Sequence, residues 1–221
     1  NTNSSYMFYS KSNLKKIDLT MLDTRNVTNM RAMFSACSGL ADLDLTPIDT
    51  SKVINMRFMF DGCSELTSLN LTNLDTKNVT NMDCMFRGCS GLTALDLSHL
   101  DTRNVTSMTS MFYDCSGLTT LDLSSLNTQK VMDMGYMFSG CTSLTTLNLS
   151  FLDTQKVTGM SRMFDDCDKL TSLSLGEKFA FVGSNYYLSE GTWYASDGTA
   201  YTSNGKSCTI PNNKADTYTR R

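Results

Sequence analysis

A Met-Phe pair returns every 26 residues along most of this chain, at Met7-Phe8, Met33-Phe34, Met59-Phe60, Met85-Phe86, Met111-Phe112, Met137-Phe138 and Met163-Phe164. A fixed period of this length, kept without insertion or deletion, predicts a solenoid: each unit is too small to bury its own apolar face and closes it against the next. The length of 221 residues would by itself allow one or two globular domains. The repeat overrides that expectation, because a stack of units is a single object whatever its length.

Within one unit the pattern changes twice. Leu43-Asp44-Leu45 alternates apolar and polar, as do its equivalents from Ile17-Asp18-Leu19 to Leu173-Ser174-Leu175, and this alternation predicts a strand. Successive strands separated by a whole unit can lie parallel and stack at about 4.8 Å. An Asp-Thr or Asn-Thr pair follows (Asp23-Thr24, Asp49-Thr50, Asp75-Thr76, Asp101-Thr102, Asn127-Thr128, Asp153-Thr154). Asp and Asn accept from the backbone N–H two residues on, which predicts a turn. The unvarying threonine predicts a hydroxyl that satisfies buried turn backbone. Val27, Met30, Met33, Phe34 and Cys37 then lie at helical spacing, and with Thr28, Thr80, Thr106 and Thr158 as N-caps they predict a helix of about two turns. Gly62, Gly88 and Gly140, or Gly39, Gly91 and Gly117, offer its exit.

The period also accounts for the cysteines. Six of the eight, Cys37, Cys63, Cys89, Cys115, Cys141 and Cys167, share one position, and only Cys84 and Cys208 fall outside it. A repeated place on an apolar face points to free thiols packed as small hydrophobes. Parallel side chains on neighbouring rungs rarely meet the dihedral a disulfide needs. Cys84 shares its column with Ala32, Phe58, Ser110, Tyr136 and Arg162 and is expected to be more exposed.

At Gly176 the period stops. Residues 177–221 are aromatic and rich in Ser and Gly, with Phe179–Val182 reading as a strand and Ser196-Asp197-Gly198 as a hairpin turn between Trp193-Tyr194 and Ala200-Tyr201. A last rung exposes both a strand edge and apolar core, so this segment is expected to cover it. The organisation expected is therefore a solenoid over 1–176 and a β-rich cap over 177–221.

The unit Leu-Asp-Leu-Ser-x-Leu-Asp-Thr-x-x-Val-Thr-x-Met-x-x-Met-Phe-x-x-Cys-x-x-Leu resembles the BspA-type leucine-rich repeat of bacterial surface proteins, over roughly residues 5–175. Gly191–Tyr194 and Ala215–Thr219 look like the segment that often follows such repeats. The resemblance implies an α/β fold: a right-handed leucine-rich-repeat solenoid with a parallel β-sheet on one face, short helices on the other and a small β-rich C-terminal cap. It also implies an extracellular, cell-surface or wall-attached location. Some members of that family are adhesins, so host matrix or mucosal proteins or glycans are the expected partners. The family offers no catalytic residues to carry over.

Composition and motifs narrow the function further. A formal net charge of -3 lacks the basic footprint that nucleic acid or an anionic membrane wants. No apolar run approaches the roughly 18 residues of a membrane span. Asn1–Ser5 lack the basic and apolar regions of a secretory leader, and aligned on the period Asn1 takes the place of Val27. The sequence is thus expected to open inside a degenerate unit of a longer protein. The lone His99 has no partnered nucleophile. Met-x-x-Met-Phe-x-x-Cys is a packing pattern before it is a soft-metal site. No enzyme, cofactor or metal is expected.

The candidate binding surface is the strand face. Its central column is Asp18, Asp44, Asn70, Asp96, Asp122, Asn148, flanked by Asp42 and its equivalents Lys16, Ser68, Ala94, Thr120 and Thr146. Small polar side chains on an open sheet leave backbone approachable to a protein or glycan. A merely solvated face is the competing reading, since stacked carboxylates also repel by about 0.8 kcal/mol per neighbour in water. Ca²⁺ fits poorly, because one column cannot supply 6–8 oxygen ligands. The expected function is an adhesin-like binding module, with a stalk that projects another domain as the alternative. One basic residue per unit after the Asp-Thr turn (Arg25, Lys52, Lys77, Arg103, Lys130, Lys156) is expected to be a solvated stripe beside the turn aspartates.

Overall fold

The computed structural model describes all of residues 1–221. The 26-residue units do stack in parallel register: bridges run Asn3 to Asn29, Asn29 to Asn55, and on through Asn81, Ser107 and Asp133 to Gly159. The α/β expectation with short helices, however, is wrong. The chain has no helix, and five strands make its only extended sheet. The stretch from Met30 to Cys37 and its equivalents is a chain of tight turns instead.

The reason lies in where its amides go. In the second rung, Met30, Ala32, Phe34 and Ala36 donate across to Asn55, Arg57, Met59 and Asp61 of the next rung at 2.7–3.0 Å. The intervening Met33, Ser35 and Cys37 donate back to Met30, Ala32 and Phe34, each at 3.2 Å, and close successive turns. An α-helix would have spent every amide within the rung. Eight residues are also too few to repay helix nucleation. The apolar spacing that mimics a helix arises because each turn returns the chain after three residues. Thr28, Thr80, Thr106 and Thr158 are not N-caps: their hydroxyls donate to carbonyls of the preceding rung at 3.2–3.4 Å.

This geometry holds two residues per rung at positive φ, for example Ala32 at 54° and Ala36 at 59°. In the second of these columns Gly62, Gly88 and Gly140 adopt the conformation at no steric cost, while Asp114 and Asp166 are forced into it at 55° and 57°. Gly91 serves otherwise, for a methyl group there would collide with the carbonyl oxygens of Ser64 and Leu66 where one rung crosses the last.

The leucine side of the rung is held more loosely than expected. Only β1 (Thr146–Leu149) and β2 (Ser172–Leu175) form a parallel strand pair, with Leu147 opposite Leu173. The earlier Leu-x-Leu segments are extended and buried by their leucines but share few backbone bonds, such as Ala41 N–H to Lys15 and Thr119 N–H to Thr93. The turn threonines fasten this side. Thr24, Thr50, Thr76, Thr102 and Thr128 each donate to the carbonyl and accept from the amide of the Asp or Asn 25 residues on, at 2.8–3.0 Å.

One continuous core of 63 residues runs from Ile17 to Tyr218, through the repeats and into the C-terminal segment. Phe8, Phe34, Phe60, Phe86, Phe112, Phe138 and Phe164 form a file of nearly parallel rings with centroids 5.6–6.3 Å apart. That separation exceeds the roughly 4.8 Å rise of a parallel ladder, so the rings sit offset, as their quadrupoles prefer. Phe181 meets Phe164 edge-on at 62° and ends the file.

The thiol column is unpaired and buried, and Cys84 is buried with it. Each column thiol donates to a phenylalanine carbonyl of the preceding rung: Cys37 to Phe8, Cys63 to Phe34, and so on to Cys167 and Phe138, at 3.0–3.2 Å. The C-terminal segment adds β3 (Gly191–Tyr194), β4 (Ala200–Ser203) and β5 (Asp216–Arg220) to the same sheet in the order β1-β2-β5-β3-β4. β5 lies antiparallel on β2, with Tyr218 opposite Leu173. Asn185 and Tyr186 supply the carbonyls that Arg162 and Phe164 would otherwise find on a further rung. Arg220 fixes the junction by donating to the carbonyls of Asp168, Leu170 and Glu190.

Three outcomes follow. Thr76→Val, which orphans the amide and carbonyl of Asp101, lowers unfolding free energy by about 2 kcal/mol or more, whereas Thr76→Ser costs roughly 1 kcal/mol; urea denaturation measures both. Asp114→Gly stabilises by about 1 kcal/mol, since it relieves a left-handed non-glycine residue, and the same denaturation series checks it. Burial pushes the Cys63 and Cys115 thiols up to about 12 from 9.0. A folded-state value raised in this way gives protection that is complete below about pH 9 and is lost as pH climbs toward 12. The urea midpoint therefore falls steeply over that range, and less steeply in Cys63→Ala.

Candidate functional site

The strand face is built by the same alternation that buries the leucines. With Leu43 and Leu45 inside, Asp42, Asp44 and Thr46 point to solvent. All seven residues singled out from the sequence, Asp18, Asp42, Asp44, Asn70, Asp96, Asp122 and Asn148, are exposed on this face. They line two separate shallow hollows. The first, of about 870 Å³, has Lys16, Asp18, Asp42, Asp44, Asn70 and Asn73 on its rim. The second, of about 540 Å³, has Asp96, Asp122 and Asn148 beside Ala94, Thr120 and Thr146.

Six of the seven have a local task that the sequence did not reveal. Asp18 accepts from the amide of Thr20 at 3.0 Å and from its hydroxyl at 2.7 Å, and Asp44 holds Thr46 in the same way. Asn70, Asp96, Asp122 and Asn148 accept from the amides of Thr72, Ser98, Ser124 and Ser150 at 2.9–3.0 Å. These are Asx turns that steer the chain out of the strand. The backbone and hydroxyl donors hold the Asp18, Asp44, Asp96 and Asp122 carboxyls below the usual range, so the column carries charge at neutral pH. Asp42 has no partner within the chain and sits only in the first hollow, next to Lys16. Asn73 is fixed there by donating to the carbonyls of Leu45, Thr46 and Ile48 at 3.0–3.1 Å.

The turn stripe is partly as expected. Arg25, Lys77 and Arg103 pair with Asp23, Asp75 and Asp101 at 2.6–2.8 Å. Lys52 and Lys130 instead reach back one rung to Asn26 and Asn104, each at 2.7 Å.

A second constellation, on the turn-chain side, escaped the sequence reading. A pocket of about 230 Å³ is lined by Tyr6, Tyr9, Arg31, Phe58, Asp61 and Arg87. The signal was present in the variable columns of the supposed helix, where aromatics and arginines cluster in the early rungs, but a helix would have scattered those columns around its outer face.

Because Asn reproduces the Asx turn, Asp44→Asn leaves thermal stability unchanged, while Asp44→Ala lowers the melting temperature measurably by differential scanning calorimetry.

No curated protein matches the chain. Among solved structures it is similar to a leucine-rich repeat protein of T. pallidum, at 20% identity over 63% of this chain and 69% of that one, with a TM-score of 0.39. It is also similar to a leucine-rich repeat protein from Eubacterium ventriosum, at 19% identity over 80% of this chain and 46% of that one, with a TM-score of 0.42. The chain thus spans under half the length of the second relative. The resemblance to bacterial leucine-rich-repeat proteins drawn from the residues holds. Two overlapping matches to one family profile cover residues 2–115 and 89–178, which together take in every repeat, and the chain therefore belongs to the family described as Mycoplasma protein of unknown function, DUF285.

Proposed function

We propose that this chain is an extracellular binding module, adhesin-like, of a bacterial cell-surface protein. In this reading the stacked repeats serve as an interaction module, and the reading rests on the strand face. The observation that carries it is the first hollow. There Lys16, Asp18, Asp42 and Asp44 bring both charge signs together on consecutive rungs, and Asp42 has no structural task. In the flanking column only Lys16 and Asp42 are charged, while the later rungs hold Ser68, Ala94, Thr120, Thr146 and Ser172. Opposite charges gathered at one end of the face suit contact with a host matrix protein, a mucosal protein or a glycan, because complementary charge gives specificity. In this reading the chain is no enzyme and works outside the cell. No helix is long and apolar enough to cross a membrane.

The stalk reading also has an observation in its favour, namely the Asx turns that occupy six of the seven face residues. Surface plasmon resonance on immobilised fibronectin, fibrinogen and mucin separates the two. Binding to one of them, reduced about tenfold or more by Lys16→Gln with Asp42→Asn, supports the module. Equal binding by that variant removes the strand face as the site, and no binding to any surface favours the stalk. Both substitutions leave the Asx turns untouched, so folding does not confound the comparison.

A further inference from the structure

Arg31 is the one arginine of the pocket on the turn-chain side that has nothing to do. Its guanidinium lies 5.7 Å from the Tyr6 ring centroid and 5.8 Å from that of Phe58. Its Nε is buried without a hydrogen-bond partner, and no carboxylate of the chain pairs with it. The neighbouring cations each face a carboxylate, although the Arg57 Nε, like that of Arg31, has no hydrogen-bond partner. Arg87 binds both oxygens of Asp61 at 2.7 and 3.0 Å, and Arg57 stands 3.8 Å from Asp83. Asp83 is itself occupied by Asn81, Ser107 and Thr109. In the pocket lining itself two arginines, Arg31 and Arg87, face one aspartate, Asp61, which leaves one uncompensated positive charge in a chain whose net charge is -3.

We propose that this pocket binds a carboxylate side chain of an acidic segment in a partner protein, taken bidentately by Arg31. A guanidinium fork with free donors between two ring faces is matched to a planar carboxylate. The space of about 230 Å³ takes one side chain and little more. Tyr6 and Tyr9, 46% and 49% exposed and packed edge-on at 5.5 Å, form an apolar shoulder for the residues on either side. Tyrosine and arginine are the side chains that carry interface energy. A carboxylated sugar fits less well. Its hydroxyls need acceptors, and the Asp61 carboxylate is already engaged by Arg87 and by the Ser35 hydroxyl at 3.3 Å. The pocket lies apart from both strand-face hollows and shares no residue with them.

The test is a titration of the whole chain with the blocked dipeptide acetyl-Glu-Glu-amide, followed by two-dimensional NMR of the arginine Nε–H groups. Acetyl-Gln-Gln-amide and glucuronate run in parallel. The Arg31 Nε–H signal shifts saturably with the Glu peptide and not with the Gln peptide, and added salt weakens the effect. Arg31→Met abolishes the response at the Tyr6 and Tyr9 rings. Arg31→Lys, which keeps charge and stem but not the fork, weakens it by about tenfold, as loss of a charge-assisted pair implies. The Lys16→Gln, Asp42→Asn chain retains the full response. No shift at Arg31, or an equal shift with the Gln peptide, overturns the proposal. Tighter binding of glucuronate than of the Glu peptide overturns the assignment to a protein partner.

Discussion

The structure depends on a division of labour among the amides of one eight-residue stretch. Alternate N–H groups between Met30 and Cys37 point along the stack, and the others close turns within the rung. The arrangement leaves few buried donors idle on that side, which is the condition a chain this poor in regular secondary structure has to meet. It also sets the cost. Every rung holds residues in left-handed conformation, glycine or not, and neighbouring rungs stabilise what an isolated unit would not tolerate.

The side chains then follow the backbone. Because the rungs superpose, each residue type meets its own copy one unit away, and the core becomes a set of files: rings on rings, thiols under carbonyls, leucines on leucines. A cysteine suits its file because it is small, apolar and still able to donate to the phenylalanine carbonyl behind it. Valine there would leave that carbonyl with one partner fewer, and serine would place a more strongly hydrated group in a fully dry position. The threonine file performs the complementary task at the other corner, where one hydroxyl both donates and accepts.

Much of this was legible in the residues. The period gave the stack, the parallel register and the apolar files, and the threonine was rightly read as a hydroxyl satisfying turn backbone, although its partner lies on the next rung. The helix was misread because three-residue returns and helical turns bury the same spacing. A contradiction was nevertheless visible. Gly62, Gly88 and Gly140 precede the buried Cys63, Cys89 and Cys141, so the apolar face continues past the residue that was supposed to end the helix. The alternation puts the strand-face residues on one exposed side. Their role in Asx turns was not legible, because it depends on where the strand bends, which no periodicity reports. The pocket around Arg31 was hidden for the same reason as the turn chain itself.

The ladder also has a direction. From Met30 to Cys37 and in its equivalents every backbone bond between rungs runs from an amide of the earlier unit to a carbonyl of the later one. Over this stretch the two faces of a rung are therefore chemically unlike, one offering donors and the other acceptors, while just before it Ile54, Thr80 and Thr106 donate the opposite way. The C-terminal segment answers these donors with the carbonyls of Asn185 and Tyr186. A whole unit added to or deleted from the interior would leave this pattern undisturbed, because each rung meets the next through the same donors and acceptors, while the closing segment stays the same.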